Sequence, residues 1–330
     1  MQKPEEVNNA IHARLKEAQS IVIVSHIRPD ADAVGSLLGL GQALIKAGKQ
    51  VQMVLEDGLP DKYDDLKYSD LVVPAIQRVF DMLIVVDSSD MRRTGSELYG
   101  YKIPDLCIDH HKTNLMFATI NLIEENAVAT AAILAEHMSF WGLEIDSDVA
   151  SSLLVGIIGD TIGFRTSNMN AKTLRLSADL MDKGADLPKL YQQILVSRTF
   201  EEMRYWGAGL DKLTRKDDLI WTSLTLDDRI KCEYNENDDA DLINILSSVA
   251  DVKIAMIFVQ QEGGSIKVSW RAIPGIDVSR VAFSFGGGGH AAASGADIQG
   301  ELYDVMESVI RETKTLLNGS FDRKNQVKRG

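Results

Sequence analysis

The sequence is poor in cysteine, in long apolar runs and in net positive charge. Its two cysteines, Cys107 and Cys232, lie far apart and in no metal-binding spacing, which predicts a reducing cytoplasm. No apolar run approaches the roughly 20 residues of a membrane span. The first ten residues also lack the basic-then-apolar pattern of a signal peptide. We therefore expect a cytoplasmic protein without a membrane partner.

The charge balance limits the kind of nucleic acid that the protein could bind. The net charge is −13, from 48 acidic and 35 basic residues. A protein that grips long nucleic acid by its phosphates usually carries a basic face, so we expect no long duplex as a partner and only short substrates. A processive single-strand exonuclease is disfavoured for the same reason. The basic end of the chain, residues 321–330, is expected to be a tail.

The pattern of apolar segments in the first half indicates an α/β fold. Strands are predicted at 21–24, 51–55, 82–86 and 106–108. Short, fully apolar strands that alternate with helices are typical of a parallel sheet with helices on both faces. In such a sheet, ligands bind at the carboxyl ends of the strands.

The second half predicts a smaller α/β domain after a helical connector. The chain is long enough for two domains with a core each. Residues 185–206 have the character of a connecting helix, and strands are predicted at 220–226, 252–260 and 266–272. The expected domain limits are 1–185 for the first domain, 186–212 for the connector and 213–320 for the second domain.

Carboxylates and imidazoles follow apolar segments at four points of the first half. The four groups are His26 with Asp30 and Asp32, Asp87 with Asp90, Asp109 with His110 and His111, and Asp160. A single aspartate after a strand is often a helix cap or a turn residue. Loops at one end of a parallel sheet converge, however, and so many carboxylates in one cleft would repel one another without cations. The sequence therefore predicts a metal site.

The mixed ligand set also indicates the cation and the chemistry. Imidazole with carboxylate suits Mn²⁺, with Fe²⁺, Co²⁺ or Zn²⁺ as alternatives and Mg²⁺ less natural. The groups are numerous enough for two ions. Two ions about 3.5–4 Å apart can share a bridging carboxylate and water and can clamp a phosphoryl group. The predicted reaction is hydrolysis of a phosphate ester or anhydride.

Five segments together resemble the motifs of one known family. Four segments of this chain resemble, in order, the four motifs of the DHH phosphoesterase family: SHIRPDADAVGS, VVDSSD, IDHHKTN and GDTIGF. A fifth segment, GGGGHAAASG, resembles the signature of the DHH-associated C-terminal domain. The resemblance covers nearly the whole chain and is nearest to the nanoRNases, short-oligonucleotide phosphodiesterases that also dephosphorylate 3′-phosphoadenosine-5′-phosphate (pAp). It implies an active site in the cleft between the two domains.

The resemblance also implies a role for each candidate side chain. The implied ligands are His26, Asp30 and Asp87 for one ion, and Asp32, Asp87, His110 and Asp160 for the other. Asp87 would bridge the ions, and His111 would face the substrate phosphate. Asp109 would orient an imidazole from outside the ligand set, and Asp90 would be a further supporting carboxylate.

Two positions depart from the family's pattern. Ala31 stands where glycine is common, which is tolerable if this residue has a negative φ. Ile162 stands where many relatives have glycine, so the pocket wall beside Asp160 is expected to differ.

The glycine-rich segment predicts a binding site for the substrate. Four glycines and His290, followed by three alanines, suggest a loop that leads into a helix N-terminus, where N–H groups and the helix dipole favour an anion. Arg271, in VSWRA on the preceding strand, resembles the family's phosphate-gripping arginine. The residues expected to bind the substrate are His111, Arg271, Gly287, Gly288, Gly289 and His290.

The predicted function is a two-metal phosphodiesterase that degrades RNA fragments of about two to five nucleotides and also dephosphorylates pAp. Alternatives left open are a linear or cyclic dinucleotide phosphodiesterase and a family-II inorganic pyrophosphatase. A non-catalytic nucleotide-binding regulator is the alternative from another class, although an intact ligand set speaks against it. The expected cofactors are two divalent ions, Mn²⁺ first, with Mg²⁺, Co²⁺ or Fe²⁺ as alternatives. Whether the protein is a monomer or a homodimer is left open.

Overall fold

The computed structural model of the protein describes residues 4–96, 98 and 103–327. The chain forms two compact units, residues 1–197 and 198–330, and this division falls inside the segment 186–212 that is expected to connect two domains. Each unit contains a six-stranded sheet with helices, so the predicted α/β class is confirmed. Among the helices of the described residues, none is both long and apolar enough to cross a membrane.

The first unit is built on a parallel sheet. Its strands are β1 (Ser20–Val24), β2 (Gln50–Val54), β3 (Val72–Val73), β4 (Met82–Val86), β5 (Leu106–Asp109) and β6 (Ile120–Ile123). Its helices are α1 (Pro4–Glu17), α2 (Ala31–Lys46), α3 (Thr130–His137), α4 (Ser147–Asp160), α5 (Ala171–Asp182) and α6 (Leu187–Tyr191). The strand order is β3-β2-β1-β4-β5-β6, and every pair is parallel. β1 and β4 lie at the centre because their apolar side chains need cover on both faces.

Close packing of α2 on α4 brings two parts of the candidate site together. A Cβ on Gly35 would lie 2.5 Å from the carbonyl oxygen of Ser152, and a Cβ on Gly156 would lie 2.8 Å from Asp32 Oδ1. Only glycine permits such an approach of two helix backbones. The contact holds the start of α2, which carries Asp32, against α4, whose last residue is Asp160.

The second unit is built on a mixed sheet. Its strands are β7 (Thr214–Lys216), β8 (Leu219–Leu224), β9 (Ile254–Gln260), β10 (Ser265–Ala272), β11 (Gly288–His290) and β12 (Ala293–Gln299). Its helices are α7 (Phe200–Asp211), α8 (Leu226–Cys232), α9 (Leu242–Leu246), α10 (Ser279–Ser284) and α11 (Leu302–Val327). The strand order is β11-β12-β10-β9-β8-β7, in which only β8 and β9 are parallel neighbours. The strands predicted at 252–260 and 266–272 correspond to β9 and β10, which form an antiparallel hairpin.

The two sides of this second sheet pack differently. Alternate residues of β10, including Trp270, pack into a core with α10 and α11. On the opposite side, Ile257 of β9 packs into a separate core with Tyr205 of α7. Arg271 is half-buried on β10, and Gly288–His290 of the edge strand are exposed.

Several local expectations differ from the structure. The predicted connecting helix over 185–206 is interrupted, because α6 passes into a π-helical turn at Gln192–Val196 and α7 begins only at Phe200, where Thr199 forms a capping box. The segment expected as a tail continues α11 as far as Val327, and residues 328–330 lie outside the described residues.

The two departures from the family's pattern have different backbone conformations. Ala31 is the first residue of α2 and does not have a positive φ. Ile162 has a φ of 48°, in the left-handed region that favours glycine. A branched side chain in this conformation costs about 1–3 kcal/mol, so the segment after Asp160 is held there by its surroundings.

Candidate metal centre

Three neighbouring strands deliver polar side chains to one edge of the first sheet. His26 follows β1 by two residues, Asp87 comes directly after β4, and Asp109 ends β5 just before His110. Because these strands are parallel, their carboxyl ends meet at the same edge. The side chains are nonetheless buried, at 4% exposure for His26 and His110 and 1% for Asp87.

Both buried imidazoles present the same nitrogen to the carboxylates. His26 Nδ1 lies 2.8 Å from the carbonyl oxygen of Ile27, and His110 Nδ1 lies 3.3 Å from that of Ala127. A carbonyl oxygen only accepts, so Nδ1 carries the proton in each ring. The Nε2 atoms are thereby turned towards the carboxylates, which is the usual orientation of metal-binding histidines.

The carboxylate of Asp87 lies between these two imidazoles. Its Oδ2 is 3.5 Å from His26 Nε2, and its Oδ1 is 3.8 Å from His110 Nε2. Asp30 Oδ2 lies 3.9 Å from His26 Nε2. On the other side, Asp32 Oδ2 and Asp160 Oδ2 lie 3.8 Å and 3.6 Å from His110 Nε2.

These distances fit two cation sites that share one carboxylate. Metal–ligand bonds of about 2.0–2.2 Å separate neighbouring ligand atoms by roughly 3–3.6 Å. The ligand atoms of His26, Asp30 and Asp87 lie within 4.8 Å of one another, and so do those of Asp32, Asp87 and His110. The nitrogen and oxygen donors in both groups suit a divalent transition ion.

The carboxylates titrate in opposite directions because their neighbours differ. Burial opposes ionisation of Asp87, yet the hydrogen bond from His26 and the charges of the nearby histidines hold the pKa of Asp87 well below its usual range. Burial and the negative charge of Asp87 raise the pKa of Asp32 well above its usual range. A negative charge on Asp32 is therefore costly unless a cation lies beside it.

Asp109 supports the neighbouring histidine. It accepts hydrogen bonds from His111 Nδ1 at 2.6 Å, from Asn114 Nδ2 at 2.7 Å and from the backbone N–H of His110 at 2.8 Å. Burial opposes protonation of His111, but the hydrogen bond to Asp109 and the charges of Asp87 and Asp109 raise the pKa of His111 to about 9. His111 is therefore a cation at neutral pH.

Models of two protein families match this chain. Residues 20–157 match the N-terminal domain of the DHH family, and residues 229–318 match the DHHA1 domain. The chain therefore contains a DHH N-terminal domain and a DHHA1 domain. The resemblance drawn from the five sequence motifs is therefore confirmed.

Similar proteins are found over most of the length of this chain. A bifunctional oligoribonuclease and PAP phosphatase NrnA from Thermus thermophilus is 28% identical over 305 residues, which cover 89% of this chain and 90% of the relative. The protein of the same name from Mycoplasma genitalium is 28% identical over 315 residues, covering 93% of this chain and 97% of the relative. The crystal structure of an exopolyphosphatase-related protein from Bacteroides fragilis superposes with a TM-score of 0.86 at 24% identity, covering 96% of this chain and all of that one. That likeness shows the shared fold.

Most of the site residues expected in the DHH domain lie together, and Asp90 lies apart from them. Seven of them form one cluster around Asp87: His26, Asp30, Asp32, Asp87, His110, His111 and Asp160. Asp109 contacts an imidazole, as expected. Asp90 has another set of contacts: its Oδ1 accepts from the N–H of Arg92 at 2.9 Å at the start of a short 3₁₀ turn, and its Oδ2 pairs with the Arg92 guanidinium.

The sequence analysis did not predict two residues of this domain that contact the site. Thr130 donates its hydroxyl to Asp87 Oδ1 at 3.0 Å, and Asn114 donates to Asp109. Asn114 lies inside the motif IDHHKTN, so its nearness to Asp109 was a usable signal. Thr130 lies 43 positions from Asp87, and no local pattern points to it.

The glycine-rich segment corrects the sequence prediction. It forms a β-hairpin between β11 and β12, and the expected helix after the glycines is wrong. A Cβ on Gly287 would lie 2.1 Å from the carbonyl oxygen of Gly295, and Gly289 has a φ of 134°. The glycines thus permit close strand pairing, and a helix N-terminus for an anion is not formed here.

The hairpin nonetheless aligns two expected substrate-binding residues. Arg271 on β10 and His290 on β11 both pair with Ala293 of β12, one from each side. Residues directly opposite in neighbouring strands project on the same face of a sheet, so the two side chains flank the small Ala293. The Arg271 Nε also donates to Asn244 Oδ1 at 3.3 Å, which helps to orient the guanidinium.

Proposed function

We propose that this protein is a metal-dependent hydrolase that cleaves RNA fragments of about two to five nucleotides into mononucleotides and also removes a phosphate from pAp. The carrying observation is the position of Asp87, whose two carboxylate oxygens face different imidazoles. The relatives named as bifunctional oligoribonuclease and PAP phosphatase support the substrate class.

The proposed ligands follow the observed geometry. His26, Asp30 and Asp87 would hold one ion, and Asp32, Asp87, His110 and Asp160 would hold the other. When bound, two such ions lower the pKa of a water and neutralise charge on a phosphoryl group. We propose Mn²⁺ as the ion, since two imidazoles accompany the carboxylates.

His111 is proposed to act on the substrate directly. Its Nδ1 is engaged by Asp109 at 2.6 Å, so Nε2 is the nitrogen that we propose meets the substrate. Against the effect of burial, the hydrogen bond to Asp109 and the charge of Asp87 raise the pKa of His111 to about 9 in the metal-free protein, and a protonated ring can donate from Nε2 to a phosphate oxygen. Asp109 and Asn114 hold the ring in that orientation.

The second unit is proposed to bind the substrate by its phosphates. Arg271 can grip a phosphate through a charge-assisted hydrogen bond, and His290 adds a donor on the other side of Ala293. The exposed glycines of β11 leave room for a ligand beside these side chains. The net charge of −13 supports short substrates, since the protein has little attraction for a long polyanion.

The proposal is tested with a panel of substrates on protein that is first stripped of metal and then given Mn²⁺. We expect high turnover on dinucleotides to pentanucleotides and on pAp, and far lower turnover on a 20-mer RNA. Cyclic dinucleotides and pyrophosphate form the other arms of the panel. A comparable, processive rate on the 20-mer would favour an exonuclease, and full activity after verified removal of metal would rule out the mechanism.

A further inference from the structure

Thr130 contacts both buried carboxylates that are proposed as ligands of one ion. Its Oγ1 donates to Asp87 Oδ1 at 3.0 Å, and its backbone N–H donates to Asp32 Oδ2 at 2.6 Å. The N–H of Ala131 donates to the other oxygen of Asp32 at 2.9 Å. Thr130, Asp32 and Asp87 are each at most 1% exposed, so solvent does not substitute for these contacts.

The start of α3 depends on Asp32 for its cap. The residue before the helix is Ala129, whose side chain makes no capping hydrogen bond. A carboxylate from α2 takes that place, and both of its oxygens accept N–H groups from the first turn of α3. The helix dipole and the two N–H groups favour a negative charge on Asp32 and fix the plane of its carboxylate.

The hydrogen bonds of Thr130 go to the oxygens on the His110 side of the proposed centre and not to those on the His26 side. Its hydroxyl meets the Asp87 oxygen that lies 3.8 Å from His110 Nε2, whereas the other Asp87 oxygen lies 3.5 Å from His26 Nε2. Asp32 is also near His110, at 3.8 Å. Thr130 therefore supports the half formed by Asp32, Asp87 and His110, which we call the His110 half.

We propose that Thr130 is a positioning residue that orients Asp32 and Asp87 and thereby gives the His110 half its affinity for a cation. This rests on the proposed function, because it requires a centre that binds two ions. A ligand that is already held in place loses less freedom when the ion binds, and partners of metal ligands commonly contribute ten- to a hundredfold to affinity. Among the described residues, Thr130 makes no hydrogen bond to His26, to Asp30 or to Asp87 Oδ2, the oxygen that faces His26. Cation binding by the His26 half, formed by His26, Asp30 and Asp87, is therefore expected to be independent of Thr130.

The test is a titration of metal-free protein with Mn²⁺ in the absence of substrate. Binding is followed by calorimetry and by the electron paramagnetic resonance signal of free Mn²⁺. Thr130→Val removes the hydroxyl with almost no change of shape, and Thr130→Ser retains it. We expect Thr130→Val to weaken one of the two binding events by about ten- to a hundredfold and to leave the other unchanged. Thr130→Ser should bind as the wild type does.

Two further variants keep the result interpretable. Thr130→Ala removes the hydroxyl without placing a methyl group beside Asp87, and it should show the same selective loss even if Thr130→Val folds poorly. Thr222→Val is the matched control, because Thr222 is also buried and donates its hydroxyl to the carbonyl oxygen of Gly209 in the second unit. Its Mn²⁺ binding should equal that of the wild type.

The outcomes separate this inference from the proposed function. If the wild type binds no Mn²⁺, the two-ion centre is wrong, and the role of Thr130 falls with it. If the wild type binds two ions and the Thr130 variants without a hydroxyl also bind both normally, only the positioning role is wrong. Equal weakening of both events would likewise contradict it, since the contacts of Thr130 lie on one side of the centre.

Discussion

In the first unit the central candidate side chains are buried against one another, with Asp30 exposed and Asp160 half-buried at the margin, whereas in the second unit the candidate side chains lie at or near the edge of a sheet. His26, Asp32, Asp87 and His110 are at most 4% exposed. Gly288, Gly289 and His290 are exposed on an edge strand, and Arg271 is half-buried.

The difference reflects two kinds of ligand. Buried carboxylates repel one another and lose hydration, so they are tolerated where a cation compensates both costs. Their ligand atoms must also be held in place before the ion arrives, which burial achieves. A substrate that enters and leaves with each turnover needs accessible groups instead. Changes in the first unit should therefore affect metal content, and changes in the second should affect substrate binding alone.

The largest expected effect is that of Asp87→Asn, which would abolish the contrast by emptying the buried centre. Asp87 has a φ of 53°, a conformation that asparagine also tolerates, so the fold should persist. Without the shared negative charge, both ions should be lost, and activity should fall by more than the ten- to hundredfold typical of a supporting residue. Elemental analysis and turnover measure the two effects.

A matched control for this change is available in the second unit. Asp217 also has a left-handed backbone, with a φ of 54°, and it is exposed. Asp217→Asn should leave both metal content and turnover at the wild-type level. Retention of two ions by Asp87→Asn would show that this carboxylate does not bridge them.

The next largest effect should come from Arg271→Ala and His290→Ala. Each removes a hydrogen bond to a charged substrate, worth roughly 1.5–3 kcal/mol, so kcat/KM for oligonucleotides and pAp should fall about ten- to a hundredfold. Metal content should stay normal. Bis-p-nitrophenyl phosphate, a small diester that contains no nucleotide, should be affected much less.

Arg280→Ala is the control for these variants, because Arg280 is an exposed arginine on α10 of the same unit. It should change neither substrate's kinetics. Equal losses on the oligonucleotide and the small diester would indicate that Arg271 and His290 support the fold or the metal centre, and the contrast between the units would be lost.

A third expected effect is a pH dependence of stability in the metal-free protein. The pKa of His111 is raised from 6.5 to about 9, chiefly by Asp109 and Asp87 acting against burial. The protonated ring therefore stabilises the fold fully below pH 6.5, and this contribution disappears as the pH rises through 9. It amounts to about 3 kcal/mol.

His111→Gln isolates this contribution. Chemical denaturation in the presence of a chelator gives the free energy of unfolding of the wild type and the variant at each pH. The difference between them should be largest below pH 6.5 and should shrink by pH 9. A difference that stays constant over this range would mean that the His111–Asp109 pair does not hold a proton as described.

The smallest expected effect concerns the second unit's own buried carboxylate. Asp239 is the only buried acidic residue among the described residues of that unit, and its Oδ2 accepts from the N–H of Ile243 at 3.0 Å. Burial and the charge of Asp238 raise the pKa of Asp239. Its charged form therefore costs stability as the pH rises above the ordinary value of 3.8.

Asp239→Asn should remove this cost, because an asparagine oxygen can still accept from Ile243. We expect a gain in stability at pH 7 that vanishes as the pH falls below the ordinary pKa of 3.8. Thermal unfolding of both proteins across this range provides the measurement. A loss of stability at pH 7 would indicate that the charge of Asp239 is compensated, as it is proposed to be in the first unit.

Local patterns in the sequence predict much of the first unit. The strand over 82–86 is predicted with its observed bounds, and the strands around 21–24 and 106–108 differ by one residue at one end. Apolar runs of this kind form buried strands whatever lies further along the chain, because no exposed position can accept them. The candidate ligand clusters were visible too, since three of them follow the strands that place them, whereas Asp160 ends α4.

Prediction fails where one sequence pattern is compatible with two structures. GGGGHAAASG suggests a loop before a helix, since alanine favours helices, but pairing with β12 places the glycines in an edge strand. The break before α7 likewise depends on the capping box of Thr199 and Glu202, although the apolar spacing alone favours a continuous helix.

The amino-acid order alone therefore specified the central strands of the first unit and the candidate ligands that follow them, because each of these depends on neighbours within a few residues. Long-range packing settled the rest. Thr130 forms hydrogen bonds with Asp87, 43 positions away in the sequence, and with Asp32, 98 positions away. Arg271 and His290 are aligned only because both pair with Ala293 of β12. Such contacts depend on how helices and strands pack. Gly156 has no side chain, and this permits the close approach of α4 to α2, because a Cβ there would collide with Asp32.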